Sequence, residues 1–360
     1  METRLAPTHT PAALDAAVAG AVAELRAGNP VALPTETVYG LAADALRPDA
    51  VVKIFEAKER PLFDPLIVHL PNEEWLDRIT AIPLRSRDLV ARLIRRFWPG
   101  PLTIVLPRRD NVPDLVTAGL PTVAVRMSAH AVFREVCSEF GRPLAAPSAN
   151  RFGRISPTTA AHVNTELGGR IPLILDGGAT EYGLESTIVK VDGSALRLLR
   201  AGPITADDFA AVWKEDCEAR GHIPDEAEVT QFFAGLGVDF HAMLRGQEKT
   251  TVEAPGQLAS HYAPRTPLRL VSPGTHFAAC GGSPRFGSLA FSMPSDAANF
   301  AREEILSPTR DLREAAATLF AKLRRLDEAG LDLILAEPVP ETGLGIAIMD
   351  RLRKAAAQNV

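Results

Sequence analysis

The chain has 360 residues, 46% of them apolar and 23% charged, a balance that suits a globular fold with a sizeable core and excludes wholesale disorder or a fibrous repeat. At about 150 residues per domain, that length predicts two domains. Its 39 Lys and Arg stand against 44 Asp and Glu, a formal charge of −5 that excludes a polycation held to nucleic acid by charge alone. Only seven residues are lysines, so a lysine inside a motif stands out. Cys137, Cys217 and Cys280 lie far apart and form no C-x-x-C, which predicts neither a disulfide framework nor a cysteine zinc site and fits a reducing cytoplasm. No run approaches 18 uncharged apolar residues, so no transmembrane helix and no membrane partner are expected.

Thr10 and Pro11 open a helix predicted over 12–26, and Gly28 closes it. Asp15 and Glu24 interrupt the alanine-rich stretch, which makes a secretory leader a poorer account of it. Short apolar runs bounded by Pro or Gly predict buried strands at 31–33, 66–70, 102–106, 122–125 and 173–175. Helices are predicted near 49–57, 84–97, 130–140 and 157–167, the last with Ser156 as cap and Pro157 at its first position. Such alternation argues for a layered α/β domain over 1–213. A strand pair at 187–191 and 196–200 turns on Asp192-Gly193. From 214 to 266 the apolar pattern thins and charges cluster, the mark of a long linker, with one short helix around 226–234. A second, smaller, Rossmann-like α/β unit follows over 267–360, with strands at 268–272, 287–291 and 331–336 and helices at 312–328 and 346–356.

No P-loop, no G-x-S-x-G and no H-E-x-x-H occurs, and the eight histidines are too scattered to predict a metal site. The polar run Pro34-Thr35-Glu36-Thr37-Val38-Tyr39-Gly40-Leu41 directly follows a strand, where α/β layers bind ligands; a polar strand-to-helix turn accounts for it equally well. In Lys58-Glu59-Arg60-Pro61 two cations stand two residues apart, a spacing that lets a turning backbone aim both at one anion, as phosphoryl and nucleotidyl transfer require. A solvated charged loop is the competing account. Arg126 ends the run Thr122-Val123-Ala124-Val125 and stands near a sheet edge, where it could hold a carboxylate in bidentate fashion. Ala145-Ala146-Pro147-Ser148-Ala149-Asn150 ends a strand in small residues that allow a ligand close approach. Many such strand ends in one domain predict a single polar cleft. The stretch 85–109 carries seven arginines against one Asp, and Arg85, Arg92 and Arg96 share a helix face that reads either as a phosphate track for weak RNA binding or as a solvated surface.

The chain resembles the threonylcarbamoyl-AMP synthases, in the long two-domain form of the YrdC-like superfamily. P-T-E-T-V-Y-G-L at 34–41, K-E-R-P at 58–61, P-L-I-V-H at 65–69, W-P-G-P-L-T at 98–103, T-V-A-V-R at 122–126, A-P-S-A-N at 146–150, D-G-G at 176–178, E-S-T-I at 185–188 and L-L-R-A-G-P at 198–203 carry the likeness. H-Y-A-P at 261–264 and A-I-M-D-R-L-R-K-A at 347–355 extend it past the linker. The resemblance implies a twisted mixed-sheet α/β domain with a concave basic cleft. It also implies a transferase, a nucleotidyltransferase that joins L-threonine, bicarbonate or CO2 and ATP, with Mg accompanying ATP. Its product would pass to the tRNA threonylcarbamoyl transferase machinery. Thr35, His69, Arg126, Ala146 and Ser186 are implied to hold threonine. Lys58, Arg60, Asp64, Thr122, Ser148, Asn150, Ser156 and Arg200 are implied around ATP, with Lys58 and Arg60 nearest the phosphates and Tyr262 folding back with the linker over the nucleotide. Asp64 stands where the family usually has Asn, Ala42 where Gly is common, and Asp350 where Asn is common. A noncatalytic RNA-binding module and a carbamoyl transferase of the same superfamily are the alternatives.

Overall fold

The structure, a computed structural model, describes residues 2–193, 195–219, 221, 252–258, 261–272, 285–293 and 300–357. The helix expected around 226–234 and Cys280 lie outside them; Cys137 and Cys217 are buried free thiols. Strands β1 (Arg4–Pro7), β2 (Val31–Leu33), β3 (Gly40–Asp44), β4 (Ile67–His69), β5 (Leu102–Pro107), β6 (Thr122–Arg126), β7 (Leu144–Ala145), β8 (Leu173–Asp176), β9 (Thr187–Asp192) and β10 (Ala195–Arg200) form one sheet. Its order is β1-β8-β2-β3-β7-β4-β6-β5-β9-β10. The sheet is mixed, as expected: β4 runs parallel to β6, while β3 and β4 both run antiparallel to β7. Two expectations change. Residues 34–39 join β2 to an antiparallel strand, β3, and not to a helix. The helix expected from Ser156 is α7 (Ala160–Leu167), capped by Thr159, whose hydroxyl accepts the His162 N–H; the Ser156 hydroxyl is engaged with Glu185 instead.

The helices supply the covering layers. In α1 (Pro11–Arg26) the Thr10 hydroxyl caps the Ala13 N–H, Pro11 opens the first turn, and Ala17, Val18, Ala21, Val22 and Leu25 recur at helical spacing. That stripe packs on Val132, Phe133, Val136 and Phe140 of α6 (Ala131–Phe140). Leu25 is fully buried, so Leu25→Ala would cost about 2–5 kcal/mol. In α2 (Pro48–Lys58) the chain turns sharply at its end: Glu59 adopts the left-handed conformation with φ of 54°, and the Arg60 N–H returns to the Phe55 carbonyl. This reversal lets Lys58, the last helical residue, and Arg60, just past the turn, reach the same cleft. Three more helices, α3 (Glu74–Ile79), α4 (Leu84–Phe97) and α5 (Asp114–Thr117), cover the adjoining strands, and α8 (Ala206–Ala219) closes this part of the chain.

The second sheet is parallel throughout, in the order β11 (Leu268–Leu270), β14 (Leu333–Ala336), β12 (Phe286–Ala290), β13 (Arg302–Ile305). It packs with α9 (Leu312–Asp327) and α10 (Leu344–Ala356). Asp311 caps α9 through the N–H groups of Arg313 and Glu314. The apolar core here does not stop at this unit: Val38, Ile155, Leu184 and Tyr262 join Leu319, Phe320 and Leu323 in one cluster. Gly183 shows how close the contact is. A β-carbon there would lie 2.6 Å from the Ala317 carbonyl oxygen, and its φ of 66° is one that glycine adopts without strain. β1, β3 and β13 have no counterpart among the expected strands, while β7 is the strand that the small residues from Ala145 were expected to end.

Candidate active site

Three strand ends and the turn after β2 converge on one cleft. The Thr35 hydroxyl organises the turn: it accepts the N–H groups of Thr37 (3.1 Å) and Val38 (3.2 Å) and donates to the Val38 carbonyl (2.6 Å). The turn thereby presents Glu36 inward. β4 and β6 pair so that His69 and Arg126 are register partners at the carboxyl ends of two central strands. Arg126 Nη2 donates to Glu36 Oε1 (2.6 Å) and Thr37 Oγ1 (3.1 Å), and Nε donates to the Gly100 carbonyl (3.2 Å). The other Glu36 oxygen accepts the Ser128 hydroxyl at 2.5 Å. Burial alone would raise the Glu36 carboxyl; the Arg126 charge and the Ser128 hydroxyl outweigh it and hold the group down at about 2. Burial, with the Arg126 charge beside it, pushes the His69 imidazole down to about 3, so the ring is neutral at physiological pH. The guanidinium expected to meet a ligand carboxylate thus already holds one from its own chain. Its Nη1 enters no hydrogen bond among the described residues, and the residue lines the cleft.

The other end is cationic and differently partnered. Lys58 Nζ donates to the carbonyls of Ser148 and Asn150, each at 2.5 Å. Arg200 donates to the Ser186 carbonyl (3.0 Å), the Ser186 hydroxyl (3.0 Å) and the Pro255 carbonyl (3.3 Å). Neither cation has a carboxylate within ion-pair distance among the described residues, and both are buried. Burial lowers the pKa of each, that of Lys58 well below the ordinary lysine value. Arg60 does have a carboxylate, Asp64, whose Oδ2 lies 2.8 Å away without hydrogen-bond geometry. Burial raises the Asp64 carboxyl against the pull of Arg60. Such an array attracts an anion: Lys58, Arg60 and Arg200 are buried with the carboxylates of Asp64 and Glu185, and Glu185 is matched by a further guanidinium, that of Arg351.

The cleft opens to solvent, and about 530 Å³ of space lies between its walls and mouth. Thr35, His69, Arg126, Ala146 and Ser186 line it, as do Arg60, Ser148, Arg200 and Tyr262. Lys58 and Asn150 back that wall through the Ser148 strand end, and Asp64 stands behind Arg60. Ser156 is buried, its hydroxyl donated to Glu185. Thr122 is not brought to the cleft: it pairs with Pro107 at the opposite end of β6 from Arg126. The described parts of 252–264 enter the site directly. Pro255, Gly256, His261 and Tyr262 line the cleft, and the Ala263 N–H is held by the Gly153 carbonyl. Glu36, Ser128 and Glu185 went unnoticed as candidates. Their partners lie 90, 92 and 29 residues away, and the one local signal was the acidic residue between two threonines in the first motif.

Two family models match the chain. The Sua5/YciO/YrdC model, described as Telomere recombination, covers residues 23–202. The model described as Threonylcarbamoyl-AMP synthase, C-terminal domain, covers residues 223–357. The Threonylcarbamoyl-AMP synthase of Bacillus subtilis is 39% identical over 364 residues, 96% of this chain and 94% of that protein. That of Pyrococcus abyssi is 36% identical over 350 residues, 93% of each. The crystal structure of Pyrococcus abyssi Sua5 complexed with L-threonine superposes with a TM-score of 0.76 at 36% identity, covering 94% of both chains.

Proposed function

The chain belongs to the threonylcarbamoyl-AMP synthases of the two-domain Sua5 form, and from that premise we propose that it joins L-threonine, bicarbonate or CO2 and ATP into threonylcarbamoyl-adenylate and releases pyrophosphate. The protein is an enzyme, a transferase; the finer assignment, nucleotidyl transfer, is ours. The observation that carries it is the pair Lys58 and Arg200, buried cations without a carboxylate, beside an end of the cleft whose own charges already cancel.

The neutral threonine amine attacks CO2, a carbon–nitrogen bond forms, and the amine proton leaves to solvent. A carbamate oxygen then attacks the α-phosphorus of ATP, and the bond to the bridging oxygen breaks as pyrophosphate departs. No step needs a covalent enzyme intermediate, so positioning and charge neutralisation are what the residues must supply. Arg126 Nη1 is placed for the threonine carboxylate, and neutral His69 lies beside it. Lys58, Arg60 and Arg200 face the phosphates. Pro255, Gly256 and Tyr262 keep water from the carbamate. We assign Mg to the nucleotide: among the described residues no group of three or more His, Cys, Asp or Glu side chains converges on a point, so phosphate oxygens and water are its natural ligands.

The product would feed the machinery that forms N6-threonylcarbamoyladenosine in tRNA. We assign the reaction to the cytoplasm, on the dispersed cysteines. No described helix is long and apolar enough to cross a membrane. A noncatalytic RNA module is not favoured: Arg85 is paired with Asp192 and Arg87 with Asp77. Purified protein given ATP, Mg and bicarbonate should release pyrophosphate only when L-threonine is added. Release without threonine would overturn the reading, and dependence on carbamoyl phosphate instead would move the chain to the carbamoyl transferases.

A further inference from the structure

The motif Asp350-Arg351-Leu352-Arg353-Lys354 enters no step above, yet α10 brings its polar face to the cleft wall. Arg351 has no exposed surface. Its Nε donates to Glu185 Oε2 (3.1 Å) and its Nη1 to Asp350 Oδ2 (2.8 Å). Glu185 lines the cleft, and its other oxygen accepts the Ser156 hydroxyl at 2.5 Å. The Arg351 guanidinium also lies 5.3 Å from the centre of the Tyr262 ring, whose far contact is Phe320, stacked at 5.7 Å. Tyr262 has a φ of 64°, a conformation that a bulky residue keeps only when its surroundings hold it. One turn on, Lys354 Nζ donates to the Gly256 carbonyl at 2.7 Å.

These contacts have a chemical consequence. Without Arg351, Glu185 would stand as a buried unpaired carboxylate next to the site assigned to a triphosphate, unfavourable both for the fold and for the ligand. With it, the carboxylate is matched in charge and fixed in place, and it accepts the hydrogen bond that the Ser156 hydroxyl donates. The Ser156 oxygen is then left as an acceptor, the role that a ribose hydroxyl or an adenine amino group requires. We propose that Arg351 is a positioning residue for the nucleotide end of the cleft, acting through Glu185 on Ser156 and through its cationic face on Tyr262, so that the second domain completes the ATP site without touching ATP. The proposal rests on the activity assigned above.

The test is pyrophosphate release by Arg351→Met, Arg351→Lys, Ser156→Ala and the double variant R351M/S156A, with ATP and L-threonine varied in turn. For Arg351→Met the KM for ATP should rise about tenfold or more, the effect of losing a charge-assisted hydrogen bond, while the KM for threonine stays within about twofold. Arg351→Lys should recover part of the loss. The double variant should be little worse than the worse single one, because both break one path. If Arg351→Met does not fold, Glu185→Gln keeps the shape, removes the charge that Arg351 holds, and should show the same split between the two KM values. Both KM values rising together, neither moving in folded protein, or full additivity in the double variant would overturn the role. Wild-type protein in the same assay separates the two ideas: a wild type with no threonine-dependent release defeats the activity, whereas an active wild type with unchanged variants defeats only Arg351.

Discussion

The two ends of the cleft solve the problem of burying charge in opposite ways. At the end we assign to threonine, Arg126 is matched by Glu36, Glu36 by Ser128, and His69 is neutral, so the charges balance before a ligand arrives. At the end we assign to the nucleotide, Lys58 and Arg200 are held, among the described residues, by carbonyl and hydroxyl oxygens. On that assignment a balanced end would recognise a zwitterion by geometry, through the Arg126 guanidinium edge that no described residue takes up. An unbalanced end favours a polyanion by field, and the penalty of keeping those cations dry is offset when phosphate enters. On that assignment the same strand ends host two kinds of recognition.

The contrast is broken most severely at the nucleotide end. Lys58→Ala and Arg60→Ala should each lower turnover by at least about tenfold, with about a hundredfold the ordinary effect of losing a preorganised charge. Steady-state pyrophosphate release measures this; near-normal rates in both variants would remove the phosphates from that end. At the balanced end Glu36→Gln should act on the fold as well as on binding. It leaves the Arg126 charge unmatched and should lower stability at neutral pH by about 2 kcal/mol, read as a denaturation midpoint, and weaken threonine binding in calorimetry. Because the Glu36 carboxyl is held down at about 2 from an ordinary 4.5, its stabilisation is complete above pH 4.5 and is lost as pH falls towards 2. Glu36→Gln should abolish that part of the acid transition.

His69 sharpens the comparison on the same axis. Its folded value, about 3, lies below the ordinary 6.5, so the unfolded chain takes up a proton that the folded one refuses. Stability is therefore greatest above pH 6.5 and falls as pH drops from there towards 3, by up to about 1.4 kcal/mol per pH unit. His162 and His261 are also depressed and add to the slope. The difference between wild type and His69→Asn, measured from pH 6.5 to 4.5, isolates the share of His69. A difference that does not change with pH would mean that the ring is charged in the fold.

How much of this was legible in the sequence follows from the range of the interactions. Strand runs such as 31–33 and 102–106 are visible because their burial is continuous along the chain. β3 was not, because Gly40-Leu41-Ala42-Ala43-Asp44 has no β-branched or aromatic residue and follows a polar run, and its neighbours β2 and β7 make it a strand. Ser156-Pro157 carries a good local helix start, yet Glu185, 29 residues on, takes the hydroxyl and the helix begins later. The cleft residues are readable as strand ends; their partners are not. Glu36 with Arg126 and Arg351 with Glu185 are contacts between distant parts of the chain that no spacing encodes.

Asp64 is one of the three positions where the resemblance implies another residue, and it offers the finest test of the contrast. Its carboxylate sits 2.8 Å from Arg60 and is completely buried, so it lends the nucleotide end some of the balance that the threonine end has. Asp64→Asn removes one negative charge beside the site assigned to the triphosphate and leaves Arg60 with the carbonyls of Asp64 and Pro65 as partners. Two opposed effects should follow. Without nucleotide the variant should melt a few degrees lower, since a buried cation has lost its counter-ion. With nucleotide the repulsion is gone, and the KM for ATP should fall by roughly threefold, below one kcal/mol. Turnover with saturating ATP should hardly change. A KM that rises instead would mean that Asp64 holds Arg60 in its working position, or helps carry the nucleotide's magnesium, and that balance at this end is part of the site rather than a partial neutralisation of it.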